Sequence, residues 1–275
     1  MEMRKLVAKL LGISRLTQLA EEQRNIQAYR AWLALLATPK HMRERALAPH
    51  GFKVYSQAEE DGIIHEILCR IGTSSRTFVE IGVSDGRECN TRLLLRQGWR
   101  GVWVDGNADY VRKIRTHFTT ELESGALTLV SEFVTRESIN GQLSALALWR
   151  DVDVDLFSID IDGNDYHVLD AIDRLRARVI VVEYNPVIPP PGEWIAAYDA
   201  KRCWQSGDDY SASLKSYELL LTAKGYALVA CTLNGNNAFF VRRDLLGDNF
   251  VPEYSADYHY EPQRYWLTHG FVAGH

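Results

Sequence analysis

The chain has 275 residues, 46% hydrophobic and 24% charged, which is the balance of an ordinary globular protein. A net charge of -5 gives a nucleic-acid partner no electrostatic footing, and four scattered cysteines without a CxxC pair indicate neither a zinc site nor a disulfide framework. No apolar stretch approaches the roughly 20 residues that span a bilayer, so a cytoplasmic protein with reduced thiols is the simple expectation.

Residues 1–45 read as helical. Leu6, Leu10, Ile13 and Leu16 recur at helical spacing, with Lys5, Lys9 and Arg15 beside them. Lys9 and Arg15 interrupt the apolar region and no small-residue cleavage site follows, which argues against a secretory signal. Such a helix can touch a membrane surface or a partner. The plainer expectation is packing on the main domain or across a homodimer. Pro39 and Pro49-His50-Gly51 mark the join. The next segment, YSQAEEDGIIHEILCRIG, carries an apolar stripe of Ile63, Ile64, Ile67, Leu68 and Ile71. Ser56 is its expected N-cap, with Glu59 completing a capping box and Gly72 ending the helix.

Strands are expected at 77–81, 101–105, 127–131, 154–161 and 179–184, with helices at 88–97, 108–117, 136–148 and 165–177 between and after them. This alternation predicts an α/β fold, a Rossmann-like and mostly parallel sheet with helices on both faces. A helix at 211–224 and strands at 226–232 and 238–242 complete seven strands. The Leu-Asn-Gly-Asn-Asn link is a hairpin signal, so the last strand is expected to run antiparallel.

The stretch TFVEIGVSDG reads as a buried strand that breaks into a turn with Gly82, Ser84, Asp85 and Gly86. A turn of this kind bares backbone N–H groups and lets a ligand approach closely, as the floor of a nucleotide-type cofactor site. Asp105, followed by Gly106, lies 19 residues after Gly86, near the spacing expected of a ribose-binding acid. Its carboxylate can accept from both ribose hydroxyls, or it caps the next helix. Gln57 and Asp61 reach the same pocket or form a solvated helix face.

In FSIDIDGNDYH, Asp160 and Asp162 share one face of a strand that Gly163 breaks. Asn164 and Asp165 can cap the following helix. The neighbouring strand ends VVEYNP, placing Glu183 and Asn185 at the same carboxyl edge, where parallel sheets bind ligands. Oxygen donors converging there suit Mg2+ or Ca2+; without a cation, one acid would hold a proton. Two mechanisms are open: a metal held by Asp162, Glu183 and Asn185, or a metal-free base, Asp162 or His167, with Asp160 beside it. Helix capping and strand-end hydrogen bonding are the alternative to both.

Five β/α units, a closing hairpin and ExGxxxG at Glu80, Gly82 and Gly86 together resemble class I S-adenosylmethionine-dependent methyltransferases, over about residues 55–245. The resemblance implies S-adenosylmethionine as cofactor. It places Glu80 at the amino-acid end of that cofactor, although a salt bridge beneath the sheet is the alternative, and Glu132 or Phe133 beside the adenine. IDGNDY with EYN looks like the IDGDxY and DDY segments of macrocin-type O-methyltransferases, which act on antibiotic sugars with magnesium. Asp162 takes the first aspartate's place, Asn164 the second's, and Glu183 and Tyr184 stand where the later acidic pair falls. SQAEED, with D-x-x-G before VLDAI, is also similar to FkbM-type methyltransferases, commonly found with polysaccharide or natural-product sugars.

These resemblances imply O-methylation of a sugar hydroxyl on a glycan, glycoconjugate or natural product, with a divalent cation as candidate second cofactor. The expected division is a helical extension at 1–50, the catalytic domain at 51–245, and a tail at 246–275 on the acceptor side. In the Pro-rich irregular loop 186–210, Trp194, Tyr198, Trp204 and Tyr210 offer rings to a sugar face. So do Tyr254, Tyr258, Tyr260, Tyr265 and Trp266 in the tail, unless both segments pack together as a satellite core. Arg202, His259 and Arg264 are candidates to meet an anionic acceptor. An NAD-linked nucleotide-sugar oxidoreductase is the competing enzyme, although GxGxxG is absent. A non-catalytic scaffold in glycan assembly, working through residues 1–45, is the competing non-enzyme.

Overall fold

All five residues of Thr77–Ile81 (β1) are buried, so this strand needs neighbours on both edges and helices on both faces. It pairs in parallel with Arg100–Val104 (β2) and, on its other side, with Val154–Ile159 (β4). Leu127–Val130 (β3) and Ala177–Glu183 (β5) continue the parallel sheet outward. Tyr226–Cys231 (β6) and Asn237–Arg242 (β7) form the hairpin. The strand order is β3-β2-β1-β4-β5-β7-β6, and β7 alone runs antiparallel. The hairpin thus folds back so that its second strand sits inside the sheet. The sequence NAFFVR, buried along nearly its whole length, suits that inner position.

This computed structural model describes residues 2–201 and 207–270, with side chains from residue 15 to residue 268. The expectations for Leu6, Leu10, Ile13, Arg202 and Trp204 concern side chains outside the described residues. Helices Glu2–Leu36 (α1), Glu60–Ile71 (α2), Arg92–Arg96 (α3), Ala108–His117 (α4) and Thr119–Glu123 (α5) come first. Ile139–Ala145 (α6), Ala147–Asp151 (α7), Asp165–Ala171 (α8), Leu214–Ala223 (α9) and Ala256–His259 (α10) follow. One sheet face packs Val104, Phe157 and Ile159 against Leu143, Val168 and Tyr217 from α6, α8 and α9. The other packs Phe78, Trp103 and Leu156 against Ile63, Leu94 and Ile114 from α2, α3 and α4.

Several boundaries shift for local reasons. The helix expected from residue 88 starts only at Arg92, because Glu80 accepts the Asn90 and Thr91 amides. Leu146, extended at ψ 114°, splits the 136–148 helix in two. Extended Ile172 stops α8 at Ala171. Ser56 is not the N-cap of α2. That place falls to Glu59, while Ser56 Oγ accepts from Asp61 N at 3.1 Å one turn further on. The carboxylate of Asp61 gathers the amides of Val54, Tyr55 and Ser56, which curls the chain before the helix can start.

At 35 residues, α1 is about 50 Å long. Leu16 is 68% and Ile26 52% exposed, and Ala28 is the first buried residue among the described side chains of the helix. Trp32, Leu35 and Leu36 close over Ala48, Leu233 and Leu267, tying the helix end to the tail. No described helix is long and apolar enough to cross a membrane.

Candidate functional site

At the end of β1 the backbone turns through Gly82 (φ 82°), Ser84 (φ 52°) and Gly86 (φ 74°). The fold itself requires both glycines. A Cβ on Gly82 would lie 1.7 Å from the Asp160 carbonyl, and one on Gly86 would lie 2.6 Å from the Trp103 ring. Their freedom from a side chain lets the turn press against β4 and β2. Ser84 then presents its N–H to Asp105 Oδ2 at 2.9 Å, while Asn107 N–H reaches Oδ1 at 2.8 Å. Burial raises the Asp105 pKa and these amides oppose the rise. Asn107, not Asp105, caps α4, accepting from Asp109 N and Tyr110 N.

Gly106 leaves room for the Phe133 ring, whose atoms come within 2.4 Å of where a Cβ would sit. Phe133 is itself 67% exposed, and Glu132 accepts from Gln142 Nε2 at 2.9 Å. Gly82, Ser84, Asp105, Gly106, Glu132 and Phe133 together line a cavity of about 220 Å³ that Asp160 and Asp162 close at one end. Glu80 lines an adjoining cavity of about 450 Å³ that shares Gly82, Ser84, Tyr110 and Asp160 with the first. The Glu80 carboxylate is bonded within the fold, accepting from Asn90 N, Thr91 N and Thr91 Oγ1. Among the described residues it makes no salt bridge beneath the sheet.

The acidic end is built by a strained turn. Asp165, fully buried, accepts from Ile161 N at 2.7 Å and Gly163 N at 3.0 Å. Between those amides Asp162 is held at φ 58°, a left-handed conformation that costs a non-glycine residue about 1 kcal/mol or more. One oxygen each of Asp160, Asp162 and Glu183 lie within 4.8 Å of one another. Burial, then the charges of neighbouring carboxylates (Asp165 and Asp162 beside Asp160; Asp160 and Asp165 beside Glu183), raises both groups well above the ordinary carboxylate range. Asp162 is the most open of the three, and its own partial burial raises its pKa as well.

Asn185 does not join them. Its Nδ2 donates to the Asp208 and Tyr210 carbonyls and its Oδ1 accepts from Val187 N, so this fourth expected donor instead anchors the 186–210 loop. His167 is also elsewhere. Its Nε2 donates to the Ala196 carbonyl at 2.7 Å and its ring lies 5.3 Å from that of Tyr198, away from the cavities.

On the far side of Asp162 lies a third cavity of about 450 Å³, with Asp162 and Glu183 in its wall. Tyr210 from the loop and Tyr265 from the tail meet over it, hydroxyl to hydroxyl at 2.8 Å. Gln57 and Asn236 form another wall, joined by a 3.0 Å hydrogen bond, with Asn234 beside them. The sequence reading missed the asparagines of the hairpin link. β6 runs parallel to β1–β5, so its exit turn must reach the same carboxyl edge, and that topological step would have found them.

Other expected contacts lead away from the cavities. Asp61 is committed to three backbone amides. Tyr198 lies under the Arg136 guanidinium and bonds Glu137. Tyr260 donates to the Pro186 carbonyl and Tyr258 packs beside Lys40 and Arg43. His259 donates to the Glu253 carbonyl, and Arg264 is spent on the Leu233 carbonyl and Glu261. Neither of these two is free to meet an anionic acceptor.

No protein-family model and no curated protein matches this chain. Among solved structures it is similar to an O-methyltransferase from Bacillus cereus in complex with SAH, at 14% identity and TM-score 0.42, over 79% of this chain and 89% of that one. It is similar to magnesium protoporphyrin IX methyltransferase from Synechocystis PCC 6803 with bound SAM, at 13% identity and TM-score 0.41, over 68% and 79%. It is also similar to the pyocyanin biosynthetic protein PhzM, at 16% identity and TM-score 0.39, over 65% of this chain and about half, 54%, of that one. Likeness this shallow adds nothing to what the geometry itself says of the site.

Proposed function

We propose that the chain is an S-adenosylmethionine-dependent O-methyltransferase acting on a saccharide hydroxyl. One observation carries the reading: Asp162 lies in the wall of both the Asp105 cavity and the cavity beneath Tyr210 and Tyr265. A nucleoside cofactor on one side and an acceptor on the other would therefore meet at a single carboxylate. Asp105 fits a ribose, because each of its oxygens accepts one amide N–H and keeps a lone pair for a hydroxyl. When bound, S-adenosylmethionine supplies an electrophilic methyl group. The chain's part is to align the acceptor hydroxyl and to take its proton at an oxygen of Asp162, a general-base step worth about 10²–10⁴ in rate. In isothermal titration, SAH should bind in the micromolar range, roughly -8 kcal/mol, and NAD should not. Binding of NAD alone would replace this reading with the oxidoreductase.

A second reading adds a divalent cation. The Asp160, Asp162 and Glu183 oxygens, within 4.8 Å of one another, are hard donors of the kind Mg2+ and Ca2+ prefer. Bound there, the ion would lower the pKa of the acceptor hydroxyl. Activity abolished by EDTA and restored by magnesium supports the cation; activity indifferent to EDTA leaves Asp162 as the metal-free base.

A further inference from the structure

We propose that the cavity beneath Tyr210 and Tyr265 takes a polyhydroxyl acceptor bearing no anionic group, and that the side-chain amide of Asn234 selects it. This inference rests on the reading of that cavity as the acceptor site. Charge is the first observation. Asp162, Glu183 and Asp208 line the cavity, and among the described residues no lysine, arginine or histidine does. Among the described lining residues a phosphate or carboxylate on the acceptor would face acids and no cation, while hydroxyls or an ammonium would be matched.

The second observation is Asn234 itself. It is completely buried and it lines this cavity, yet among the described residues neither its amide nitrogen nor its amide oxygen finds a partner. An orphaned buried amide is unfavourable for the folded chain alone, so its retention calls for a partner from outside. The residue is nevertheless fixed. Its carbonyl accepts from Arg264 N at 2.8 Å, and Thr232 Oγ1 accepts from Asn236 N and Asn237 N around the same turn. Gly235, at φ 75°, lets this turn close against the Pro262 carbonyl. One donor and one acceptor are thus held ready on a rigid turn, and a pair of vicinal hydroxyls can engage both.

The test uses full-length protein saturated with SAH and three probes on one ring: methyl glucoside, glucosamine and glucose 6-phosphate, titrated by calorimetry or ligand-observed NMR. The first two should bind, and the phosphate should bind at least about tenfold more weakly. Asn234→Leu, of similar volume, should weaken the first two at least about fivefold, keep SAH affinity within about twofold, and leave Tm unchanged or higher. Asn234→Ala, read in parallel should leucine not be accommodated, should behave the same way. The proposal is overturned if glucose 6-phosphate binds as well as the others, if no probe binds, or if either variant binds them normally. A fall in Tm without a selective loss of probe binding would make Asn234 a structural residue and equally overturn it. Failure of SAH to bind would strike the methyl-transfer reading instead.

Discussion

Asp105 and Asp162 line the same cavity in different surroundings. Asp105 is held by two amides in a buried pocket, which orients its remaining lone pairs without removing them. Asp105→Ala should raise the Kd for SAH about 10–100-fold, from losing a charged hydrogen-bonding partner worth about 1.5–3 kcal/mol, as calorimetry would show. Asp105 and Gly106 were legible in the sequence because a strand end and a spacing place them. The same reasoning failed at Asn185, two residues beyond the end of β5. There the ladder has already changed partners: Asn185 N–H donates to the Ala212 carbonyl, and the residue bridges to Ser213. Period-two logic reports which face a residue takes only while the strand lasts. His167 failed for a different reason. Its partner, the Ala196 carbonyl, lies in a loop whose path no local pattern encodes.

The short turn between β4 and α8 sets the acidic geometry, and Asp165 sets the turn. Two amide bonds to one buried carboxylate hold Asp162 in its left-handed conformation. Asp165→Ala should cost about 2–3 kcal/mol in urea unfolding and should remove transfer activity even where the fold survives, since Asp162 would relax. A similar device joins α2 to the hairpin. Glu59 accepts from Leu233 N, Glu60 from Asn237 Nδ2, and Gln57 from Asn236 Nδ2, so SQAEED clamps the hairpin wall of the cavity beneath Tyr210 and Tyr265. In the sequence this segment read as a helix start with a capping box. Its acids look like surface residues until the hairpin turn is placed against them. The order of the strands, by contrast, was legible, because burial on both sides makes β1, β4 and β5 mostly apolar runs, whereas the helix boundaries between them were set by contacts that no local pattern encodes.

Taken whole, the molecule buries groups that resist ionisation from opposite directions. Burial holds His259 down to about 3, below the unfolded value near 6.5, so its contribution is complete above about pH 6.5 and is lost as pH falls towards 3. Burial, with Glu60 adding repulsion, lifts Glu59 to about 8, so its contribution is complete below about pH 4.5 and is lost as pH rises through 8. These two contributions together are greatest between about pH 4.5 and 6.5, and outside that window each slopes by up to about 1.4 kcal/mol per pH unit. Urea melts from pH 4 to 9 would show it. His259→Gln should flatten the acid arm, and Glu59→Gln the alkaline one. A final consequence follows from the position of β7 between β5 and β6. As the chain leaves the ribosome, β1 to β5 can assemble and complete the Asp105 cavity, but the edge of β5, an apolar ARVIVVE ribbon, stays open until residues 237–242 emerge. The nascent protein thus completes the sheet beside the Asp105 cavity first and the hairpin wall of the cavity beneath Tyr210 and Tyr265 last, and the interval between them is when it is most exposed to edge-to-edge aggregation.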